Sequence, residues 1–201
     1  MAEYSTMQER LSRIAGKLAA IGGLRQRPAI FGAQEHHFQL GPPLAEHDVE
    51  GFERRHGIIL PADYRAFLTR VGNGGPGRYG GAGPYYGLLP LDRWDDALVE
   101  PERPGVLGAA FPVVPGAKFG TDWLNDACLL ADGEEWFPGA IALSHVGCGD
   151  MAVLVVTGPG RGRVAYTQWA AQAPSYPPDL DFLAWYERWL DAATTGHDWW
   201  C

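Results

Sequence analysis

Cysteine is scarce in this chain, and its few cysteines are poorly spaced for a shared site. Three occur, at Cys128, Cys148 and Cys201. An odd number without a CxxC pair disfavours both a disulfide framework and a four-cysteine zinc site. The sequence therefore predicts no bound metal and no cofactor.

Long apolar runs are missing as well. The longest, Met151 to Val156, has the length of a strand, whereas a membrane-spanning helix needs roughly 20 apolar residues. The first residues, MAEY, lack the basic patch and following apolar stretch of a secretory signal. We therefore expect no membrane partner and a cytoplasmic location. With 201 residues, 46% of them hydrophobic, the chain should form one globular domain.

Positive charge is sparse, and negative charge is concentrated in one part of the chain. The net charge is −8, and between Asp92 and Asp150 eleven acidic residues face three basic ones. We call residues 92–150 the acidic segment; the rest of the chain is balanced. This distribution indicates either an acidic face for a basic partner or a set of solvated loops. Direct nucleic-acid binding is disfavoured, because clustered Lys and Arg are needed to meet phosphates.

Hydrophobic periodicity predicts the order of the helices and strands. Apolar residues at three- and four-residue steps predict helices over residues 3–21, 45–56, 61–71 and 180–190. Short apolar or aromatic runs predict strands over residues 35–40, 85–91, 140–145, 151–157 and 163–169. Tight turns separate the last three strands, so these should pair as antiparallel hairpins. An antiparallel meander sheet flanked by helices is an α+β fold.

Glycine is concentrated between residues 72 and 84, where it fills seven of thirteen positions. We call this stretch the glycine segment. It lacks the GK[ST] ending of a phosphate-binding loop, and a helix precedes it where a dinucleotide-binding loop needs a strand. Phosphate binding is therefore disfavoured. Because ordering each residue costs about 1–2 kcal/mol, we expect the segment to be mobile unless other parts of the chain hold it.

One stretch could carry enzyme chemistry. His145, Cys148 and Asp150 bring an imidazole, a thiol and a carboxylate within six residues. A Cys–His pair can form a nucleophile, but residues three apart across a hairpin turn are usually held apart. The alternative is a purely structural role, as a tight turn with a small buried thiol. The doublet His36-His37 falls on a predicted strand, where the two rings would point to opposite faces.

Tryptophans are the remaining signal in the acidic segment. Trp94, Trp123 and Trp136 are spaced through it, and Trp is enriched among residues that dominate binding energy. An anchor ringed by charges is one interpretation. The other is that these indoles cover the sheet.

Four stretches together resemble the SUKH superfamily, in the family's order. They are GFERRHGIILPADYRAFLTRVGNGG (51–75), GPYYGLLPL (83–91), LSHVGCGDMAVLVVTGPGRGRV (143–164) and FLAWYERWLD (182–191). The chain departs from the family at residues 76–82, PGRYGGA, which look like an extra copy of a glycine element. The resemblance implies a single α+β domain over residues 31–191, with an added N-terminal helix and linker over 1–30 and a tail over 192–201.

The resemblance also implies a function without catalysis. Bacterial members are proposed to be immunity proteins that bind and neutralise a nuclease- or deaminase-type toxin. We therefore expect a protein partner with a basic surface, bound by a monomer or weak dimer of this chain. The alternatives are a regulatory interaction module of the same fold without a toxin, and a Cys/His-dependent enzyme. The expected partner contacts are Asp92, Trp94, Asp95, Asp96, Asp122, Trp123, Asp126, Asp132, Glu134 and Glu135.

Overall fold

A computed structural model describes residues 6–25, 28–75, 77–96, 105–117, 138–167 and 174–196. These residues form helices around a three-stranded antiparallel sheet, which confirms the predicted α+β class. The elements are α1 (Met7–Gly22), α2 (Ala33–His36), α3 (Glu46–His56), α4 (Ala62–Arg70), β1 (Ala140–Gly147), β2 (Asp150–Val155), β3 (Val164–Thr167) and α5 (Phe182–Thr195). Short 3-10 turns lie at Leu91–Arg93 and Val106–Gly108.

Helix α1 begins at a reciprocal cap. The Thr6 hydroxyl accepts a hydrogen bond from the Glu9 N–H, and the Glu9 carboxylate accepts one from the Thr6 N–H. This arrangement satisfies two backbone donors that the first helical turn leaves open. The apolar face of α1 is buried in the main core, as predicted from its periodicity: Leu11, Ile14 and Ile21 are at most 2% exposed.

Helices α3 and α4 follow the predicted pattern. Gly57 ends α3 in the left-handed conformation, with φ of 65°. Pro61 stands immediately before α4, where its missing N–H leaves no helical hydrogen bond unmade. The α4 face carrying Tyr64, Phe67 and Leu68 is buried. The loop between these helices therefore runs from a glycine stop to a proline start.

The sheet has the order β1–β2–β3 and is buried on both faces. Ile141 and Leu143 of β1 point to the helices, whereas Ala140 and Ala142 belong to a second core cluster on the opposite face. Phe111 and Val113 pack in that second cluster, and Tyr176 lies against it. Two buried faces explain why the β2 sequence is apolar almost throughout.

Helix α5 packs beside α1 and α4. Its N-cap residue Asp181 accepts a hydrogen bond from the Ala184 N–H at 2.8 Å. The buried Asp63 of α4 accepts one from the Leu183 N–H at 3.2 Å. Burial raises the pKa of Asp63, and the nearby charge of Asp181 raises it further. The first turn of α5 is thus tied to α4 through a carboxylate in the core.

Two predicted strands are wrong. Residues 33–36 form a helical turn, and His37 and Phe38 then adopt positive φ of 50° and 55°, which a strand does not permit. Residues 85–91 do run beside β1, where the Leu89 N–H donates to the Leu143 carbonyl at 2.7 Å. Positive φ at Tyr85 and Gly87 interrupts regular pairing there.

The glycine segment is held by the rest of the fold. Gly81 and Leu88 exchange two backbone hydrogen bonds of 2.8 Å, and the Ala82 N–H donates to the Gln39 carbonyl at 2.7 Å. The glycines are needed because backbones cross at close range. A Cβ at Gly81 would lie 2.2 Å from the Gly74 carbonyl oxygen. We expected the segment to be mobile unless other parts of the chain hold it, and these contacts do hold it.

Candidate functional site

Residues 91–96, at the start of the acidic segment, are anchored to the fold. Leu91 is buried, and its N–H donates to the Asn73 side-chain oxygen at 2.8 Å. The Trp94 carbonyl accepts a hydrogen bond from the Ala142 N–H of β1, also at 2.8 Å. Asp92, Asp95 and Asp96 therefore have a fixed position between the glycine segment and the sheet.

Trp94 is half-buried and packs inward. Its ring lies 4.7 Å from the His56 ring and 6.3 Å from the Phe52 ring, both on α3. Burial lowers the pKa of His56, and the charge of Arg55 lowers it further while Asp95 opposes the shift. Trp94 thus serves the core of the domain, and only its exposed part is open to a partner.

Asp96 is engaged within the chain. Arg93 pairs with both carboxylate oxygens of Asp96, and the His145 Nε2 lies 3.3 Å from Asp96 Oδ2. Arg93 also donates to the Arg78 carbonyl at 2.5 Å. The charge of Asp96 is therefore offset by Arg93, and this cluster joins the start of the acidic segment to β1, which lies near its end, and to the glycine segment.

Asp92 and Asp95 are the predicted contact residues whose charges stay unpaired within the described ranges. Asp92 is exposed and Asp95 is half-exposed, and neither forms an ion pair there. The structure brings both next to Trp94 and Asp96. The remaining predicted contacts lie outside the described residues: Asp122, Trp123, Asp126, Asp132, Glu134 and Glu135.

Carboxylates elsewhere are largely neutralised by the chain's own bases. The clearest case is Asp181, which pairs with Arg10 at 2.6 Å. Burial alone would raise the pKa of Asp181, but hydrogen bonds from Arg10 and the Ala184 N–H outweigh it, and the pKa is lowered. Further pairs are Glu187 with Arg13 and Lys17, Asp191 with Lys17, Asp179 with Arg188, and Glu46 with Arg65.

Beside Asp96 lies a surface that we did not predict from the sequence. We call it the aromatic surface: Phe31, Tyr79, Tyr86 and His145. The Tyr86 ring lies 4.9 Å from Phe31 and 5.0 Å from Tyr79, and Tyr79 lies 5.6 Å from the His145 ring. The Phe31 side chain is 38% exposed. Tyr79, Tyr86 and His145 are half-exposed, and partly exposed aromatic side chains are enriched at protein-binding surfaces.

The local signal for this surface was weak. The doublet Tyr85-Tyr86 lies in a stretch whose aromatic and apolar composition predicts a strand. The positive φ of Tyr85 places this residue in the core at 9% exposed and leaves Tyr86 half-exposed beside Phe31. The pairing of Tyr86 with Phe31 depends on tertiary structure, which no local pattern reports.

A family model for the SMI1/KNR4 family (SUKH-1) matches residues 43–200, well over half of the chain. The chain belongs to this family. Neither a search of curated proteins nor a search of solved structures finds a match. In this SUKH-1 chain the matched region begins before α3 and contains α4, the sheet and α5, whereas α1 precedes it.

Cys148 and His145 of the hairpin turn form no hydrogen bond with each other in the described part of this SUKH-1 chain. Cys148 is exposed at the tip of the turn with φ of 53°. The His145 ring faces Asp96 and Tyr79 instead of the thiol. Within the described ranges, no group of three His, Cys, Asp or Glu residues is placed to hold a metal ion.

The histidine doublet is divided between the core and the surface. His36 is 3% exposed and packs against Trp189, whereas His37 is exposed. The two rings therefore share no site, as expected, although the backbone is not a strand. No helix in the described part of this SUKH-1 chain combines the length and apolar character that crossing a bilayer requires.

Proposed function

We propose that this SUKH-1 chain is a non-catalytic protein-binding domain. It acts as an immunity protein that binds a cognate nuclease- or deaminase-type toxin in the cytoplasm. It works by stoichiometric occlusion, with the acidic segment covering a basic surface of the toxin. Family membership supports the domain type, and the toxin partner is the part that experiment must test.

The separation of charge within the chain carries this proposal. The excess of −8 lies in the acidic segment. Outside that segment, many of the described carboxylates form ion pairs within the molecule, such as Asp181 with Arg10 and Asp179 with Arg188. Asp92 and Asp95, which form no ion pair with any residue that the structure describes, lie at the anchored start of the segment. An acidic surface on a fixed base attracts a basic partner at long range and orients it on encounter.

The aromatic surface supplies a complementary kind of contact. Charge alone speeds association more than it strengthens a complex, whereas buried aromatic groups supply lasting affinity. Tyr79 and Tyr86 adjoin Asp96 through His145, so aromatic and acidic residues are neighbours on one side of the domain. A toxin seated on both would be steered by the carboxylates and retained by the rings.

Charge reversal with a matched control tests the electrostatic part. The variant Asp92→Lys with Asp95→Lys should weaken association with the product of the adjacent reading frame by about tenfold at low salt, mainly through the association rate. The control Glu35→Lys with Asp48→Lys changes the net charge equally at exposed positions outside the segment. Adding Asp122→Lys and Asp126→Lys should deepen the loss.

Binding measured by calorimetry at several salt concentrations, together with rescue of cells expressing the adjacent gene, gives the answer. Equal effects of the variant and the control, with no salt dependence, would contradict an acidic contact surface. A housekeeping protein as the bound partner, with no rescue, would favour the regulatory module. A substrate turned over through Cys148 would overturn the non-catalytic assignment.

A further inference from the structure

A second surface lies away from the aromatic surface, between the end of α3 and the turn that joins β2 to β3. It is an open groove of about 850 Å³. We call it the Arg161 groove. Gly57, Gly108 and Gly158 line it. Because glycine has no side chain, a bound partner segment can approach the backbone closely at these positions. Its other lining residues used below are Ile59, Arg161, Glu50, Glu53 and Arg54.

Arg161 is held in place by backbone groups. Its Nη2 donates to the carbonyls of Ile59 at 2.9 Å and Leu60 at 3.2 Å. The turn that carries it is closed by backbone hydrogen bonds, including Arg161 N–H to the Gly158 carbonyl at 3.1 Å and Gly162 N–H to the Val155 carbonyl at 2.8 Å. Two carbonyls orient the guanidinium but do not neutralise it.

The other charged groups of the groove are already engaged. Glu53 accepts the Leu60 N–H at 2.8 Å and lies 3.6 Å from Arg65, and Arg54 lies 4.0 Å from Glu50. Arg161 forms no ion pair with any residue of the described ranges. The groove therefore presents one oriented, uncompensated guanidinium, whose Nη2 is occupied by the two carbonyls and whose Nη1 can donate to a carboxylate. A hydrogen bond between a guanidinium and a carboxylate is charge-assisted and stronger than one between neutral groups.

Ile59 provides an apolar contact beside this charge. It is 71% exposed although it lies between buried Ile58 and Leu60, and its carbonyl holds Arg161. Covering such an exposed branched side chain with an apolar side chain of a partner is favourable, because it removes apolar area from water. The carboxylate site and the apolar site are thus joined by a hydrogen bond and lie within the reach of neighbouring residues of one peptide.

We propose that the Arg161 groove binds an extended segment of a partner protein in which a carboxylate side chain stands next to bulky apolar side chains. The carboxylate pairs with Arg161 and an apolar side chain packs on Ile59. The charge preference is opposite to that of the acidic segment. The groove therefore binds a different kind of partner segment from the basic one that the acidic segment attracts. The proposal stands whether or not the partner is a toxin.

Peptide titration of the full chain, followed by amide NMR, tests the groove. The probe is acetyl-Ser-Leu-Asp-Leu-Ser-amide. Matched controls carry Lys in place of Asp, or Gly in place of both Leu. The probe should shift the Ile59, Gly108, Gly158 and Arg161 amides with Kd on the order of 1 mM, and each control should bind about tenfold more weakly.

Variants decide whether Arg161 and Ile59 cause the binding. Arg161→Gln and, separately, Ile59→Ser should each weaken the probe about tenfold. Arg54→Gln, which removes another cation of the same groove, should change the affinity less than about twofold. Ile59 is exposed, so its variant folds and separates loss of binding from loss of structure. Equal shifts with the Lys peptide, shifts confined to another surface, or no saturable shift at about 10 mM would overturn the proposal.

Discussion

At the scale of single residues, His36 shows how the core constrains ionisation. Its Nδ1 accepts a hydrogen bond from the Phe38 N–H at 2.9 Å, which requires the neutral ring with its proton on Nε2. Phe38 and Trp189 lie against the ring at 5.1 and 5.8 Å. Burial, assisted by the charge of His37, lowers the pKa of His36 from 6.5 to about 4. The fold thus holds this imidazole neutral.

This shift makes stability depend on pH in a known direction. The folded pKa is depressed, so the folded state binds fewer protons than the unfolded chain below pH 6.5. The contribution of His36 is complete above pH 6.5 and falls by about 3 kcal/mol as pH drops to about 4. In His36→Phe, which keeps the ring packing, we expect the free energy of unfolding to lack this loss.

Urea unfolding of the parent and of His36→Phe between pH 7.5 and 4.5 measures the difference. At pH 7.5 the variant should be less stable by about 1–3 kcal/mol, because the Phe38 N–H loses its acceptor. The gap should shrink or reverse toward pH 4.5. A gap that stays constant would mean that His36 is protonated in the fold without cost.

At the scale of elements, local sequence patterns predict those helices and strands whose backbone conformation does not depend on tertiary contacts. Helices α1, α3, α4 and α5 and the three hairpin strands follow from periodicity and turn residues. The stretches around Phe38 and Tyr85 read as strands by composition, but positive φ at both residues bends the chain. What bends it is packing against other segments, such as the hydrogen bond between Ala82 and Gln39. A single-sequence pattern does not contain that information.

The glycine segment gives an element-scale prediction. Gly81→Ala should lower the free energy of unfolding by about 3 kcal/mol or more, because the new Cβ would lie 2.2 Å from the Gly74 carbonyl oxygen and 2.5 Å from that of Gln39. Gly16→Ala in α1 is the matched control. It meets nothing within 4 Å and should stabilise by about 0.5–1 kcal/mol.

Denaturant unfolding of both variants, compared at constant m-value, distinguishes packing from mobility. If Gly81→Ala were tolerated as well as Gly16→Ala, the backbone crossing between residues 74 and 81 would not hold in solution. The glycine segment would then be the mobile loop that its composition suggests.

At the scale of the whole molecule, only one of the candidate binding surfaces could be predicted from the sequence. The acidic segment is contiguous in sequence, so its charge could be counted directly. The aromatic surface joins residues 31, 79, 86 and 145, and the Arg161 groove joins α3 to the β2–β3 turn. Such surfaces exist only after folding. Trp94 is predicted as a partner contact, and its contact with His56 gives it a role in the core.

Helix α1 lies outside the family-matched region, yet it belongs to the same core. Leu11, Ile14 and Ile21 are buried in the main cluster. Arg10 pairs with Asp181, the N-cap residue of α5, and Arg13 pairs with Glu187 of α5. The apolar contacts outweigh the ion pairs. Truncating one buried Leu or Ile costs about 2–5 kcal/mol, whereas exposed ion pairs contribute at most about 1 kcal/mol.

We therefore expect removal of residues 1–25 to abolish cooperative unfolding at 25 °C. The loss of three buried side chains is comparable to the whole stability of a domain, about 5–15 kcal/mol. Ile14→Ala should keep the fold but lower its stability by about 2–5 kcal/mol, and Arg13→Ala should lower it by less than about 1 kcal/mol. Circular dichroism melts of the three variants measure these effects. If residues 26–201 melted cooperatively within a few degrees of the full chain, the prediction would be wrong, and α1 would contribute little to the stability of the core.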